Sequence, residues 1–179
     1  LFNDTYTWSV DNKVKAVNFY ILIELHVCFH LKELGVPLKK ILKSRETIAK
    51  ELNMAYPFAS SELLAYGDRI WYKFKDSIIK ADGSKQSDFV EFIEDFAKKI
   101  EFNANSVAER FWPNGKESDV VVDPHHQFGQ PILNGTNINA EVIFSMYESG
   151  EPIEAISILY DLTQKQIVDA ISFYKKSAA

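Results

Sequence analysis

The chain has 179 residues, 46% hydrophobic and 25% charged, which suffices for one substantial core or two small ones and is ordinary for a globular protein. A formal net charge of −5 excludes a molecule that holds nucleic acid through bulk positive charge. A single cysteine, Cys28, excludes an internal disulfide and a Cys-based zinc site and fits the reducing cytoplasm.

The charge is unevenly placed. Residues 1–75 hold 11 Lys/Arg against 8 Asp/Glu, whereas residues 76–179 hold 9 against 17. The front half can approach phosphate, and the back half suits a basic protein partner better. No signal peptide is visible. The most apolar run, Phe19 to Ile23, is closed by Glu24, far short of the ~20 residues a membrane helix needs. The chain opens on Leu rather than Met, so a preceding segment is expected.

In chain order, residues 1–16 are polar and aromatic, with Thr5 to Trp8 favouring strand and Asp11-Asn12 a turn, which predicts a small hairpin or arm. Val17 to Leu34 predicts a long helix, apolar on most faces, and therefore buried on more than one side. Gly35 is placed to end it and Pro37 to start the next. That helix, Pro37 to about Asn53, should turn Leu38, Ile41, Leu42, Ile48 and Leu52 inward and Lys39, Lys40, Lys43 and Arg45 outward. Leu63 to Phe74 predicts a hairpin about Gly67-Asp68. A helix is expected from Phe89 to Lys99, then a strand pair or a strand plus loop between Ile100 and Trp112, and a turn at Pro113-Asn114-Gly115.

Val120-Val121-Val122 predicts a short strand stopped by Asp123-Pro124, followed by a Gly/Asn-rich loop with the β-like segment Pro131-Ile132-Leu133. Three helices follow. Asn139 caps the first, which Gly150 ends. Pro152 starts the second, to about Tyr160. Thr163 caps the third, with a Thr163/Gln166 capping box. Helix, short helix, tight turn and helix is the layout of a helix-turn-helix.

The expected class is mainly α with small β-hairpins (α+β). Three regions are expected: 1–55, a connecting α+β region 56–118, and a terminal three-helix domain 119–179. Lys39, Lys40, Lys43 and Arg45 form a basic cluster that is either a solvated face or a phosphate-contacting one. Thr163, Gln164 and Lys165 open the third terminal helix, where Gln can read adenine edges and Lys guanine or phosphate. The acidic residues around them favour an ordinary solvated bundle instead. Tyr20, Leu25 and Phe29 on the first long helix predict a homodimer interface. His26 and His30 stand four apart on one helix without a third ligand, so structural histidines are the simpler reading and no metal is expected. His125-His126 read as a surface loop. No nucleophile elbow, phosphate-cradling loop or inward grouping of acids points to catalysis, and no cofactor is expected.

Val121 to Pro124, Phe128 to Ile132, Gly135-Thr136, Ile138, Gly150 to Glu154, Tyr160 to Thr163 and Ile167 together resemble the domain-of-unknown-function family 433, an antitoxin-like helix-turn-helix family. In that family an Arg usually follows the Gly-Thr pair; here Asn137 stands there, removing a positive charge. Upstream, Val17 to Ile41, and Leu31 to Ile41 above all, resembles the pair of helices that follow the wing in MerR-type winged-helix proteins, with residues 1–16 as the remains of the wing. Tyr56 to Ala59 and Arg110 to Pro113 also look typical of the longer members. The resemblance implies a VapB-like antitoxin that neutralises a PIN-like ribonuclease toxin, binds operator DNA and works as a homodimer, without a membrane role. A stand-alone MerR-like regulator and an adaptor that does not bind DNA are the alternatives.

Overall fold

Asn18 starts the first long helix. Its side chain accepts the Ile21 amide at 2.9 Å, satisfying one of the donors that a helix N-terminus leaves open. In the computed structural model, the described residues are 7–10, 14–60, 62–66, 69–74, 77–80, 98–105 and 107–177. The chain divides into two units, residues 1–97 with 101–108, and residues 98–100 with 109–179.

The first unit begins with the antiparallel pair β1 (Thr7–Val10) and β2 (Val14–Val17). Then come α1 (Phe19–Glu33) and α2 (Leu38–Leu52). Gly35, at φ +85°, supplies the left-handed residue just past the end of α1, and Asn53, at φ 50°, does the same after α2. A 3₁₀ turn over Pro57–Ala59 packs on both helices. The core is Ile21, Ile23, Val27 and Leu31 from α1, Ile41 and Ile48 from α2, and Phe58 from the turn, all 1% exposed or less. Leu38, expected inward, is instead 47% exposed because it lies in the first turn of α2, ahead of the packed stretch. A three-stranded antiparallel sheet follows, β3 (Glu62–Tyr66), β4 (Arg69–Phe74) and β5 (Ser77–Lys80), one strand more than the expected hairpin. The helix expected over Phe89 to Lys99 lies outside the described residues as far as residue 97; residues 98–99 form a turn.

A four-stranded sheet runs in the order β6 (Ile100–Phe102), β7 (Ala108–Phe111), β8 (Val120–Val122), β9 (Pro131–Leu133), of which Ile100, Glu109–Phe111, β8 and β9 belong to the second unit. Phe111 pairs with Val122. β8 is buried on both faces. Val120 and its cross-strand partner Leu133 join the helical core, while Val121 and its partner Ile132 pack with Trp112. A three-residue β-branched run has no polar face to give to water, and this strand needs none.

Three helices complete the unit: α3 (Ala140–Glu148), α4 (Ile153–Tyr160) and α5 (Gln164–Ser177). Ile143, Ile156, Leu162, Ile167 and Ala170 meet Val120 and Leu133 in one core. Asn139 accepts the Glu141 amide at 2.8 Å. Gly150 turns at φ +95°, and Asp161, left-handed at φ 54°, makes the sharp corner between α4 and α5. The Thr163/Gln166 box is reciprocal: the Gln166 amide donates to Thr163 Oγ1 at 3.2 Å and the Thr163 amide to Gln166 Oε1 at 2.9 Å. The fold is therefore α+β, mainly helical, with more sheet than small hairpins alone. Among the described residues no helix is long and apolar enough to cross a membrane.

Candidate interaction surfaces

The solvent face of α2 is basic. Lys39, Lys40 and Lys43 are exposed and lie within four positions, so they share one side of the helix. Arg45, expected outward with them, turns inward. Its guanidinium donates to the fully buried Glu24 and to the Ala55 carbonyl, the latter at 2.9 Å. Burial pushes the Glu24 carboxyl above its ordinary value, and Arg45 and the Phe58 amide pull it back only in part. Next to it, burial and the Glu24 charge push the Cys28 thiol up to about 11.

On α1, Phe29 is 63% exposed, whereas Leu25 is half-buried. Tyr20 stacks within its own chain on Tyr56, with ring centroids 5.5 Å apart and an interplanar angle of 24°. Leu34, 49% exposed, adds a further uncovered apolar side chain in the same unit.

At the start of α5, Gln164 is exposed, but its neighbours are engaged within the unit. Thr163 Oγ1 serves the cap. Lys165 Nζ donates to Asp119 at 2.7 Å, to Asp169 at 2.8 Å and to the Glu117 carbonyl at 2.8 Å. Hydrogen bonding to Asp119 and Asp169 holds its ammonium above the ordinary range. The same Asp169 oxygen accepts the Asp119 amide at 2.8 Å, so one acid–base cluster ties the start of β8 to α5. Lys165, though 58% exposed, braces the start of β8 against α5.

The loop after β8 gathers a second cluster. Asp123, 4% exposed, accepts the His125 amide on Oδ1 at 2.8 Å and the Arg110 Nε on Oδ2 at 3.2 Å, and His126 Nδ1 lies 3.1 Å from the same Oδ2. Burial pushes this carboxyl up, but the His125 amide, the His126 ring and the Arg110 guanidinium together outweigh burial and hold it below the ordinary carboxylate range. Gln127, Phe128 and Gly129 are all left-handed, at φ 45°, 55° and 76°. The turn is pinned by Gln127 Nε2 donating to the Asn137 carbonyl at 3.0 Å, and it leaves the Phe128 side chain wholly exposed. A cavity of about 340 Å³ opens beside it, lined by Arg110, Asp123, His126 and the Asn134–Asn137 loop.

The strand, the Asp-Pro corner, this left-handed turn, the Gly135-Thr136 loop and the three helices follow in one order. Residues 120–174 match the model of the family described as "Protein of unknown function (DUF433)". That segment is thus similar to a DUF433 domain. The likeness also extends beyond that domain. Over 166 residues, 86% of this chain and 69% of the relative, the chain is 24% identical to "Putative antitoxin VapB45" of Mycobacterium tuberculosis. It is 36% identical over 58 residues, 32% of this chain and 24% of the relative, to "Uncharacterized protein Rv2308" of the same organism. The crystal structure of Rv2018, also from Mycobacterium tuberculosis, superposes with a TM-score of 0.65 at 19% identity, over 92% of this chain and 83% of that one, a likeness of fold.

Within the segment that matches DUF433, Thr136 Oγ1 donates to the Leu133 carbonyl at 2.8 Å and accepts the Ile138 amide at 3.1 Å, which closes the loop after β9. Asn137 lines the cavity beside Asp123. Two features of the domain escape the sequence reading. Asp123 reads there only as a strand stop, although two His and a Pro follow it. The outer face of α4 also goes unnoticed, although that helix is apolar at nearly every position.

Proposed function

We propose that the chain is the antitoxin of a type II toxin–antitoxin pair, a non-catalytic protein that binds its toxin and represses its own operon. The likeness to the VapB45 protein carries this reading, because it runs over 86% of the chain, through both units. Electrostatics supports a division of labour. Residues 120–174 hold one cation, Lys165, against seven acids, a net of 1 − 7 = −6. A PIN-like ribonuclease toxin must hold RNA phosphates with cations, so its substrate face complements an acidic domain. Operator DNA would meet Lys39, Lys40 and Lys43 on α2, with Gln164 exposed at the head of α5. Phe29 on α1 is the homodimer contact.

Co-expression with the product of the neighbouring gene, followed by size-exclusion chromatography, tests the antitoxin role. A stable complex that lacks ribonuclease activity is the expected result; failure to co-elute removes the reading. Sedimentation of Phe29→Glu tests the dimer, where a monomer is expected and an unchanged dimer rules out this interface. A gel shift on the upstream promoter tests repression, with retardation expected.

A further inference from the structure

α4 is apolar on both sides. Ile153, Ile156 and Tyr160 face the domain core. The opposite face carries Glu154, Ala155, Ile158 and Leu159, which follow the i, i+1, i+4, i+5 pattern of one helical side. Ile158 is 85% exposed and Leu159 67%, and the exposed acids Glu151, Glu154 and Asp161 bracket them at both ends of the helix. A helix that is apolar all round is ordinarily covered on every side. Adjacent Ile and Leu at that exposure, within a domain of net charge −6, call for a cover.

We infer that the Ala155–Ile158–Leu159 face of α4 is a docking surface for a basic amphipathic segment of a partner protein, with Lys or Arg flanking two or three apolar side chains. A second copy is disfavoured by charge. The acids lie at both ends of the helix, so either orientation of two such faces sets acid against acid. DNA is disfavoured by the same acids. That this partner is the toxin rests on the antitoxin reading above; that the face takes a basic amphipathic segment does not.

The full chain is titrated into a fluorescent Leu/Lys amphipathic helical peptide and, separately, its Leu/Glu counterpart. The Leu/Lys peptide should bind saturably, less tightly as salt rises, and at least tenfold more weakly to Ile158→Glu/Leu159→Glu. The Leu/Glu peptide should not bind. Both side chains are solvent-facing, so circular dichroism should report an intact fold. If the variant nevertheless misfolds, Glu151→Lys/Glu154→Lys should reverse the peptide preference, and an unchanged preference overturns the inference. Equal binding by wild type and Ile158→Glu/Leu159→Glu, equal binding of both peptides, or self-association abolished by that variant also overturns it. With the neighbouring gene product, wild type should retain the partner and Ile158→Glu/Leu159→Glu should lose it. If both retain it, the inference falls and the antitoxin reading stands. If wild type fails to retain it, the antitoxin reading falls and the peptide titrations decide the inference.

Discussion

Arg45 reaches back 21 residues to donate to Glu24, whose side chain is fully buried between α1 and the 57–59 turn. The Phe58 amide donates to the other Glu24 oxygen at 3.2 Å, so one carboxylate joins α1, α2 and the turn. Removing one partner of a buried pair leaves the other uncompensated, so Arg45→Met should cost about 3 kcal/mol. Replacing both, Arg45→Met with Glu24→Leu, should cost only about 1 kcal/mol, because no buried charge is left and the losses are the Phe58 amide's acceptor and the exposed Ala55 carbonyl's donor. Urea unfolding of the single and double variants measures the difference; equal losses would contradict the cost of a buried charge left without its partner.

Cys28 lies beside that carboxylate, and its thiol is raised to about 11. At neutral pH almost no thiolate forms, and the side chain is 7% exposed. The native protein should therefore leave a chromogenic disulfide reagent unreacted, with one thiol appearing only in denaturant. Rapid labelling of the folded chain would show that the α1 region opens.

For Asp123 the folded state holds the carboxyl below its ordinary value of 3.8. A depressed acid stabilises the fold above the unfolded-state pKa, and that contribution fades as pH falls through the lower folded value. Asp123→Asn should therefore lose roughly 1 kcal/mol at pH 7, where Asn can still accept the His125 amide. Thermal melts of the two proteins should converge as the pH drops below about 4. A gap that persists in acid would mean that packing rather than charge is at stake.

Phe128 stands left-handed between Gln127 and Gly129 with nothing covering it. A left-handed non-glycine residue costs about 1 kcal/mol, and the side chain supports no core, so Phe128→Gly should leave stability unchanged or raise it by up to about 1 kcal/mol. A large loss in a thermal melt would reveal packing by this ring.

Lys165 is held by Asp119 and Asp169, whereas Lys39 and Lys43 lie exposed on α2. If operator DNA meets α2, Lys39→Ala and Lys43→Ala should each flatten the dependence of log K on log salt by about 0.9. Lys165→Ala should leave that slope alone and lower the melting temperature instead. Filter binding across a salt series separates the two, and a slope change from Lys165→Ala would return that residue to the DNA face.

The amino-acid sequence by itself determined the local elements of the last third. Asn139, Gly150, Pro152 and Thr163 bound their helices through interactions spanning only a few residues, and such signals are written in adjacent letters. The same holds for the β-branched run at 120–122, and for Gly35 and Pro37 between α1 and α2. Where each charge goes was decided by the tertiary structure. Arg45 and Lys165 look like any other surface cations in the sequence, but their partners lie 21 and 46 residues away, brought close only by helix packing and by β8 lying against α5. The same long-range packing selected which side of α4 enters the core. A helix apolar at almost every position specifies no inner face, so the neighbouring elements chose one and left Ile158 and Leu159 in solvent.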